Sequence, residues 1–536
     1  MIWAYWPTST FKPAEYTPIP VATWPTTAWP RSSPEAQGMS SQSLLEMAVY
    51  VRERAISDPE FYVDSMTVIR NGTIVAEFYP NPNFPPNTPH VIHSVTKSIV
   101  SALVGIAIDR GLIDSVDAPL VDFFPDREIA HLDDDKKSLT LRDLLTMQTG
   151  LHSRDSYLYG HEGLLALQRS DDWVQYALDL PMAAPPGTRF DYSNISTFLL
   201  GAVLGEATNS DVLSFAREVL FDPLGIGDVR WEWTQDDIPI AWARMWLTPN
   251  DLAKLGLLYL QRGQWDGEQI IPAAWINESL TPHAFPKNAI NILNADMTRD
   301  SETSTRNWVG QQFFRAFNDG YGYQWWLARD GTFAAFGTNG QFLIVAPQQN
   351  LIFVVTSKST GLAQFAPAEL FYDYVLPAVL SEPTDHRNTP QGAPLSAIAK
   401  PKPATTPTTT NPLPSFTHAI SGKTFAMQSN PYNTDNIRFV FDRGDAVAAL
   451  SYTVREDWAP HYLIGLDGIP RRTQNESGSF VALGNWIAPN TLQVDVEIVG
   501  YTTFDTWDFT FEGYKLRVLQ RTITGDYSFA GAIGPR

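Results

Sequence analysis

A serine and a lysine three residues apart stand at the start of an apolar stretch. Ser94 and Lys97 open the run 94–108, whose apolar character on nearly all sides predicts a buried helix. Residues three apart on a helix lie on one face, about one turn from each other. Backbone N–H groups are free at a helix start and can stabilise an oxyanion, and a lysine among apolar neighbours can act as a base. The pattern predicts a nucleophilic serine assisted by a lysine.

A tyrosine and an asparagine open a second apolar helix. Tyr192 and Asn194 follow the rigid turn 185–187 (Pro-Pro-Gly). Ser-x-x-Lys alone is a weak signal, because roughly one match is expected by chance in a chain of this length. Asn194 alone would be interpreted as a helix cap. The two motifs together favour a functional site over two helices with polar ends.

Ser94-x-x-Lys97 followed by Tyr192-x-Asn194 resembles the motif pair of class C β-lactamases, D-alanyl-D-alanine peptidases and their esterase relatives. The resemblance extends over about residues 35–380. Within the family, the sequence is most similar to relatives of 6-aminohexanoate-dimer hydrolase. Four separated segments carry the resemblance, in the family's order: 94–98, 139–151, 192–194 and 247–256. The resemblance implies that Ser94 is acylated, that Lys97 and Tyr192 transfer its proton, and that Asn194 orients Lys97. It leaves open which of Lys97 and Tyr192 is the formal base.

The family's third motif, commonly Lys-Thr-Gly or His-x-Gly, lies on a strand at the edge of the active site. Its best counterpart here is Ala335-Phe336-Gly337, followed by Thr338. The resemblance implies an oxyanion hole made by the backbone N–H groups of Thr338 and Ser94, with Gly337 in support. Ala335 stands where a cation usually binds the carboxylate of a β-lactam or peptide. The alanine favours an esterase or amidase that acts on uncharged or differently anchored acyl groups.

Aromatic and amide side chains near these motifs are candidates for a substrate pocket, and the stretch 152–172 is predicted to cover the site. For each candidate, simple packing is the alternative interpretation. The candidates are Tyr157, Tyr159, Trp325, Trp326 and Asn339.

Changes in composition divide the chain into four parts. Residues 1–35, rich in Pro and Trp, are predicted to form an extended arm, and 36–385 a hydrolase domain. Residues 386–414 are a Pro/Thr-rich linker. Residues 415–536 alternate apolar and polar positions, which predicts a sandwich or a small barrel that resembles the lipocalin-like barrels of some family members. The fold class expected is α+β: a β-lactamase-like antiparallel sheet flanked by helices, plus a C-terminal all-β, lipocalin-like barrel.

Local patterns in the second part predict a helix from residue 41, a hairpin over 66–79 that turns at Asn71-Gly72, and a sheet assembled from both ends of the domain. Further helices are predicted near 95–110, 141–148, 194–208, 211–219 and 249–262, and strands at 332–336, 341–346 and 351–356.

Composition also restricts the partners. The net charge of -20, without a basic block, argues against nucleic acid and anionic membranes. There is no cysteine, no second histidine cluster beside 131–135 and no phosphate or dinucleotide loop, so we expect no metal and no cofactor. We expect a soluble protein with a small-molecule ester or amide substrate, allow for a homodimer, and predict no signal peptide and no membrane span. The compartment stays open between the cytoplasm and export with a removed signal.

The leading hypothesis is a serine hydrolase that cleaves an ester or amide through an acyl-Ser94 intermediate. A β-lactamase or D-aminopeptidase-like peptidase is the alternative enzyme. A non-catalytic, penicillin-recognising binding protein is the alternative of another class.

Overall fold

The computed structural model describes residues 16–155, 162–234, 237–286, 317, 319–380, 413–430, 433–441, 446–454, 457–458, 462–475, 478–502, 504–522 and 525–533. The chain divides into two compact units. The first comprises Met1–Pro80 and Asn87–Ala399, and the second comprises Asn81–Pro86 and Lys400–Arg536.

The described helices are α1 (Ser41–Ser57), α2 (Thr96–Asp109), α3 (Asp134–Ser138), α4 (Leu141–Leu145), α5 (Glu162–Arg169), α6 (Trp173–Asp179), α7 (Asn194–Thr208), α8 (Val212–Ala216), α9 (Pro249–Leu260), α10 (Ala273–Ser279), α11 (Ala366–Leu370) and α12 (Thr417–Ile420).

The strands of the first unit are β1 (Val63–Arg70), β2 (Thr73–Phe78), β3 (His90–Val91), β4 (Arg230–Trp231), β5 (Met245–Leu247), β6 (Gln264–Trp265), β7 (Glu268–Gln269), β8 (Gly320–Tyr321), β9 (Trp326–Leu327), β10 (Phe333–Gly337), β11 (Gln341–Ala346) and β12 (Leu351–Ser357).

An antiparallel sheet forms the centre of the first unit, in the order β2-β1-β12-β11-β10-β9-β8. Its strands come from both ends of the unit, and most of the helices lie between them in sequence, which confirms the predicted α+β class. The β1–β2 hairpin turns at Asn71 and Gly72, which have φ angles of 54° and 71°. Two consecutive left-handed residues are what a two-residue turn of type I′ requires, so the predicted Asn-Gly turn is confirmed.

Two helices are buried almost all round and form the core on one face of this sheet. Every residue of α2 from Thr96 to Ala107 is buried, as is every residue of α7 from Asn194 to Leu204. Such helices have no solvent face, as their uninterrupted apolar sequences predict. The observed bounds agree with the predicted helices except that α4 is shorter, and α8 continues as a π-helical turn at Arg217–Phe221.

The described part of the N-terminal arm packs along the first unit. The Tyr16 hydroxyl donates to the Tyr259 carbonyl (3.1 Å), and the Trp29 indole donates to the Asn250 carbonyl (2.9 Å). Residues 1–15 lie outside the described residues, as does most of the predicted linker at 386–414. The linker therefore stays a prediction.

The second unit contains β13 (Thr424–Met427), β14 (Thr434–Val440), β15 (Val447–Val454), β16 (Asp457–Trp458), β17 (Tyr462–Gly465), β18 (Arg471–Asn475), β19 (Gly478–Ala488), β20 (Thr491–Ile498), β21 (Phe504–Glu512), β22 (Lys515–Thr522) and β23 (Gly525–Ile533).

These strands form a closed barrel. The order β14-β13-β23-β22-β21-β20-β19-β17-β15 closes through a direct β14–β15 pairing, so the barrel alternative is confirmed. Its interior is filled by aromatic rings, among them Phe439 and Phe509 with centroids 4.9 Å apart. The segment Asn81–Pro86 belongs to this unit, where Asn81 and Asn83 donate to the Glu497 carboxylate at 2.9 and 2.8 Å.

Candidate active site

Ser94 lies in a short 3-10 turn, His93–Val95, that leads directly into α2. The preceding strand β3 pairs with β5, and the Ile92 N–H donates to the Met245 carbonyl at 2.9 Å. His93 adopts a left-handed φ of 44°. Such a conformation is strained for a residue with a side chain and is concentrated at functional sites. The small β3–β5 sheet therefore holds the backbone of the serine in place.

Lys97 is enclosed below this serine. Its side chain is buried, and its Nζ atom has three polar neighbours: Ser94 Oγ at 2.9 Å, Asn194 Oδ1 at 2.8 Å and the Trp242 carbonyl at 2.9 Å. Two of these three are carbonyl oxygens, which can only accept hydrogen bonds. An ammonium would donate to all three atoms, whereas a neutral amine, with two N–H donors and one lone pair, would donate to the two carbonyls and accept from the Ser94 hydroxyl.

Burial makes the neutral form of Lys97 accessible near neutral pH. Burial lowers the pKa of Lys97 from 10.5 to about 7, and the negative charge of Asp155 opposes the shift. Burial also lowers the pKa of the adjacent His93 to about 3, with contributions from Arg244, His90 and Lys97. His93 is therefore neutral at pH 7, and Lys97 titrates near neutrality.

The Tyr192–Asn194 segment reaches the same point from α7. The Tyr192 ring lies 5.1 Å from Lys97 Nζ and stacks on Trp326, with centroids 5.6 Å apart. Asn194 is not the helix cap, because the Ser193 side chain accepts from the N–H of residue 196 and fills that role. The Asn194 side chain instead accepts from Lys97.

The third motif lies at the end of β10, against the turn that carries the serine. A Cβ atom on Gly337 would lie 2.5 Å from the Ile92 carbonyl oxygen, so only glycine permits this approach. A turn follows at Thr338, closed by the Gly340 N–H that donates to the Gly337 carbonyl at 3.2 Å. Ala335 is buried in the apolar core, so no cation occupies that position.

The five pocket candidates are divided by the structure. Trp326 stacks on Tyr192, whereas Trp325 is fully buried against Tyr259 (4.5 Å) and Phe333 (5.2 Å), in a core position. The Asn339 side chain donates to the Ser359 carbonyl at 3.1 Å. The remaining two candidates, Tyr157 and Tyr159, lie outside the described residues.

Three functional groups were missed at the sequence level. The Trp242 carbonyl contacts Lys97 through backbone, which no side-chain pattern reveals. Arg244 supplies a positive charge near His93. Asp155 is fully buried, although its polar neighbourhood in the sequence is typical of a surface loop.

A buried charge cluster lies next to the β3 strand. His90 Nε2 lies 2.9 Å from Asp64 Oδ2, and Lys358 Nζ lies 3.5 Å from Asp64 Oδ1, with all three side chains inaccessible to solvent. The second ring nitrogen of His90 lies 2.8 Å from the Val91 carbonyl. His90 therefore takes part in hydrogen bonding beside the turn that carries Ser94.

The family model for beta-lactamase matches residues 61–374, more than half of the chain. The chain belongs to the beta-lactamase family. The 6-aminohexanoate-dimer hydrolase of Paenarthrobacter ureafaciens is 24% identical over 312 residues, covering 56% of this chain and 73% of that protein. The monacolin J acid methylbutanoyltransferase of Aspergillus terreus is 29% identical over 168 residues, covering 28% of this chain and 39% of that protein. The predicted family is confirmed, and the named hydrolase among its relatives supports a hydrolase enzyme.

Among solved structures, the octameric penicillin-binding protein homologue from Pyrococcus abyssi is 14% identical, with a TM-score of 0.43, and covers 92% of this beta-lactamase-family chain and 100% of its own. Within the described residues, no helix combines the length and apolar character needed to cross a bilayer.

Proposed function

We propose that this beta-lactamase-family protein is a serine hydrolase that cleaves an ester or amide bond through an acyl-Ser94 intermediate. The observation that carries the proposal is the environment of the Lys97 amine. Two obligate acceptors take its N–H groups, which leaves its lone pair for the Ser94 hydroxyl at 2.9 Å. A pKa of about 7 makes this neutral form available at physiological pH.

In the proposed acylation, Ser94 Oγ attacks the substrate carbonyl carbon while Lys97 takes the hydroxyl proton. The tetrahedral oxyanion is stabilised by the N–H groups of Ser94 and Thr338. Collapse breaks the bond to the alcohol or amine, and Tyr192, beside Lys97, passes the proton to that leaving group. Water then attacks the acyl ester, the same groups take its proton, and the acid leaves with Ser94 restored.

The substrate class follows from charge. Ala335 occupies the family's usual cation position within an apolar core, so this strand offers no partner for a substrate carboxylate. Trp326 against Tyr192 provides an aromatic wall beside the reacting groups. Both features favour an uncharged acyl group over a β-lactam or the C-terminus of a peptide.

The test compares wild type with Ser94→Ala on p-nitrophenyl acetate, a chromogenic cephalosporin and a short amide. We expect Ser94→Ala to lower kcat/KM for the ester by about a thousandfold or more. The matched control is Ser101→Ala on the same helix. The buried Ser101 hydroxyl has no hydrogen-bond partner among the residues that the structure describes, so its loss should leave turnover unchanged.

Each alternative gives a different result. Equal turnover by wild type and Ser94→Ala would exclude Ser94 as the nucleophile, and no turnover of any of the three substrates would favour a binding protein. Hydrolysis of the cephalosporin far above the ester would favour a β-lactamase and refute the interpretation of Ala335.

A further inference from the structure

A buried carboxylate lies where the catalytic helix α7 begins. Asp155 is inaccessible to solvent and accepts four hydrogen bonds. Its Oδ2 atom accepts from the N–H groups of Asn194 (2.5 Å) and Ile195 (2.9 Å) and from the Ser193 hydroxyl (3.2 Å), and its Oδ1 atom accepts from the Ser153 hydroxyl (2.6 Å). All four partners donate, which is the pattern of an ionised carboxylate.

This contact completes the cap of α7. The Ser193 side chain accepts from the N–H of Ser196, which leaves the free N–H groups of Asn194 and Ile195 to another acceptor, and Asp155 provides it. Asp155 thereby binds the residues that directly follow Tyr192 in the chain. A negative charge at the start of a 15-residue helix is also favoured by the helix dipole.

The segment that leads to Asp155 is itself fixed by backbone contacts. Leu151 forms an antiparallel bridge with Met182, and the His152 N–H donates to the Pro181 carbonyl at 2.8 Å. Upstream, Met147 accepts from the Asp191 N–H through its carbonyl at 2.8 Å. The chain from 147 to 155 therefore runs beside the Tyr192 segment and contacts it at both ends.

We propose that Asp155 is a positioning residue of the active site, which holds Tyr192 and Asn194 against Lys97 and balances the positive charge of Lys97 whenever that amine carries a proton. The proposal rests on the proposed function of Lys97 and Tyr192 as the proton-transfer pair. Asp155 does not touch the reacting atoms in this arrangement and acts through α7 and through charge.

Several polar and charged groups of the described residues surround Lys97 and Asp155. Lys97 is surrounded by Ser94, Asn194, the Trp242 carbonyl, the Tyr192 ring and the neutral His93. Apart from its four donors, Asp155 acts on Lys97, on Asp191, whose pKa is raised chiefly by burial, and on Tyr176, whose pKa is raised chiefly by burial. Asp191 is paired with Arg189 at 3.2 Å.

The decisive variant is Asp155→Asn, which removes the charge and keeps the size. The charge of Asp155 favours protonated Lys97, so its removal should move the acidic limb of the kcat/KM profile to lower pH. Displacement of Tyr192 and Asn194 should also lower kcat at the plateau by about tenfold or more. Asp155→Glu keeps the charge but changes the length of the side chain. It should therefore restore the midpoint of the acidic limb better than it restores the plateau value of kcat.

The matched control is Asp211→Asn, because Asp211 also accepts from two N–H groups at a helix start, that of α8. It should leave both the midpoint and the plateau unchanged. A lower plateau with an unmoved midpoint in Asp155→Asn would reduce Asp155 to a structural residue and overturn the charge-balancing role.

A second measurement does not depend on turnover. The pH dependence of the free energy of unfolding, compared between Asp155→Asn and Asp155→Asn/Lys97→Met, reports the pKa of Lys97 directly. The proposal requires the pKa of Lys97 to be lower in Asp155→Asn than in the protein that retains Asp155. If wild type showed no Ser94-dependent turnover, the proposed function would fail while this comparison still decided the role of Asp155.

Discussion

The burial of Lys97 predicts a measurable dependence of stability on pH. In the unfolded chain this amine has its ordinary pKa of 10.5, and in the folded protein the pKa is about 7. Between these values the unfolded state binds a proton that the folded state does not, so stability rises with pH. Lys97→Met removes this titration. The stability of wild type relative to Lys97→Met should therefore increase across the same window.

The magnitude follows from the two pKa values. Each pH unit inside the window changes the difference by about 1.4 kcal/mol, and the full window corresponds to about 5 kcal/mol. Between pH 7.5 and pH 9.5 the free energy of unfolding of wild type should rise by about 2–3 kcal/mol relative to that of the variant. The slope does not depend on the constant cost of leaving the Asn194 and Trp242 carbonyls without a donor, because that cost is the same at each pH.

The assay is urea unfolding of both proteins at several pH values, followed by tryptophan fluorescence. Lys137→Met is the control, because its side chain is 57% exposed and its difference from wild type should stay constant. If the difference in the free energy of unfolding between wild type and Lys97→Met also stayed constant with pH, Lys97 would have the same pKa in the folded and the unfolded state. The base role proposed for the neutral amine would then lose its support.

Two further variants test the framework around the site. Gly337→Ala should lower kcat/KM by about tenfold or more and destabilise the fold by about 1–3 kcal/mol, since the new Cβ would lie 2.5 Å from the Ile92 carbonyl oxygen; Gly227→Ala, with no atom within 4 Å of its Cβ, should do neither in the same ester assay and urea titration. Asp64→Asn should lower the free energy of unfolding by about 3–5 kcal/mol, because it leaves the charge of the buried Lys358 without its carboxylate, and adding Lys358→Met should recover part of that loss. If the effects of Asp64→Asn and Lys358→Met on the free energy of unfolding were fully additive, the two side chains would not be energetically coupled.

Sequence reasoning was most successful where one pattern had one structural solution. The apolar runs of α2 and α7 have no polar face, so burial was the outcome to expect, and their bounds followed. The Asn71-Gly72 turn was likewise determined by its φ requirement. The alternation in the C-terminal part predicted strands and left the sheet's closure open, because closure depends on the β14–β15 pairing between separate strands.

The remaining features depend on contacts that no local pattern encodes. Asp155 lies among polar residues in the sequence, and only the docking of its segment on α7 buries it. The assignment of Asn81–Pro86 to the second unit depends on Glu497, more than four hundred residues further along the chain. Trp325 and Trp326 are neighbours in sequence, but successive residues of an extended chain point to opposite sides. Trp325, just before β9, packs in the core against Tyr259, and Trp326, at the start of β9, reaches Tyr192.

Two features of the site are unfavourable in isolation: the left-handed backbone of His93 and the buried amine of Lys97. Neighbouring groups compensate for each of them. The left-handed backbone at His93 is held by the Ile92–Met245 hydrogen bond and by the close approach of Gly337. Burial lowers the pKa of Lys97, and the charge of Asp155 opposes this shift. The compensating groups come from three distant parts of the chain, so this arrangement around Ser94 and Lys97 exists only in the folded protein. The Ser-x-x-Lys motif alone therefore specifies none of it, and a match to the motif becomes informative only when groups such as Asp155 and Gly337 are in place.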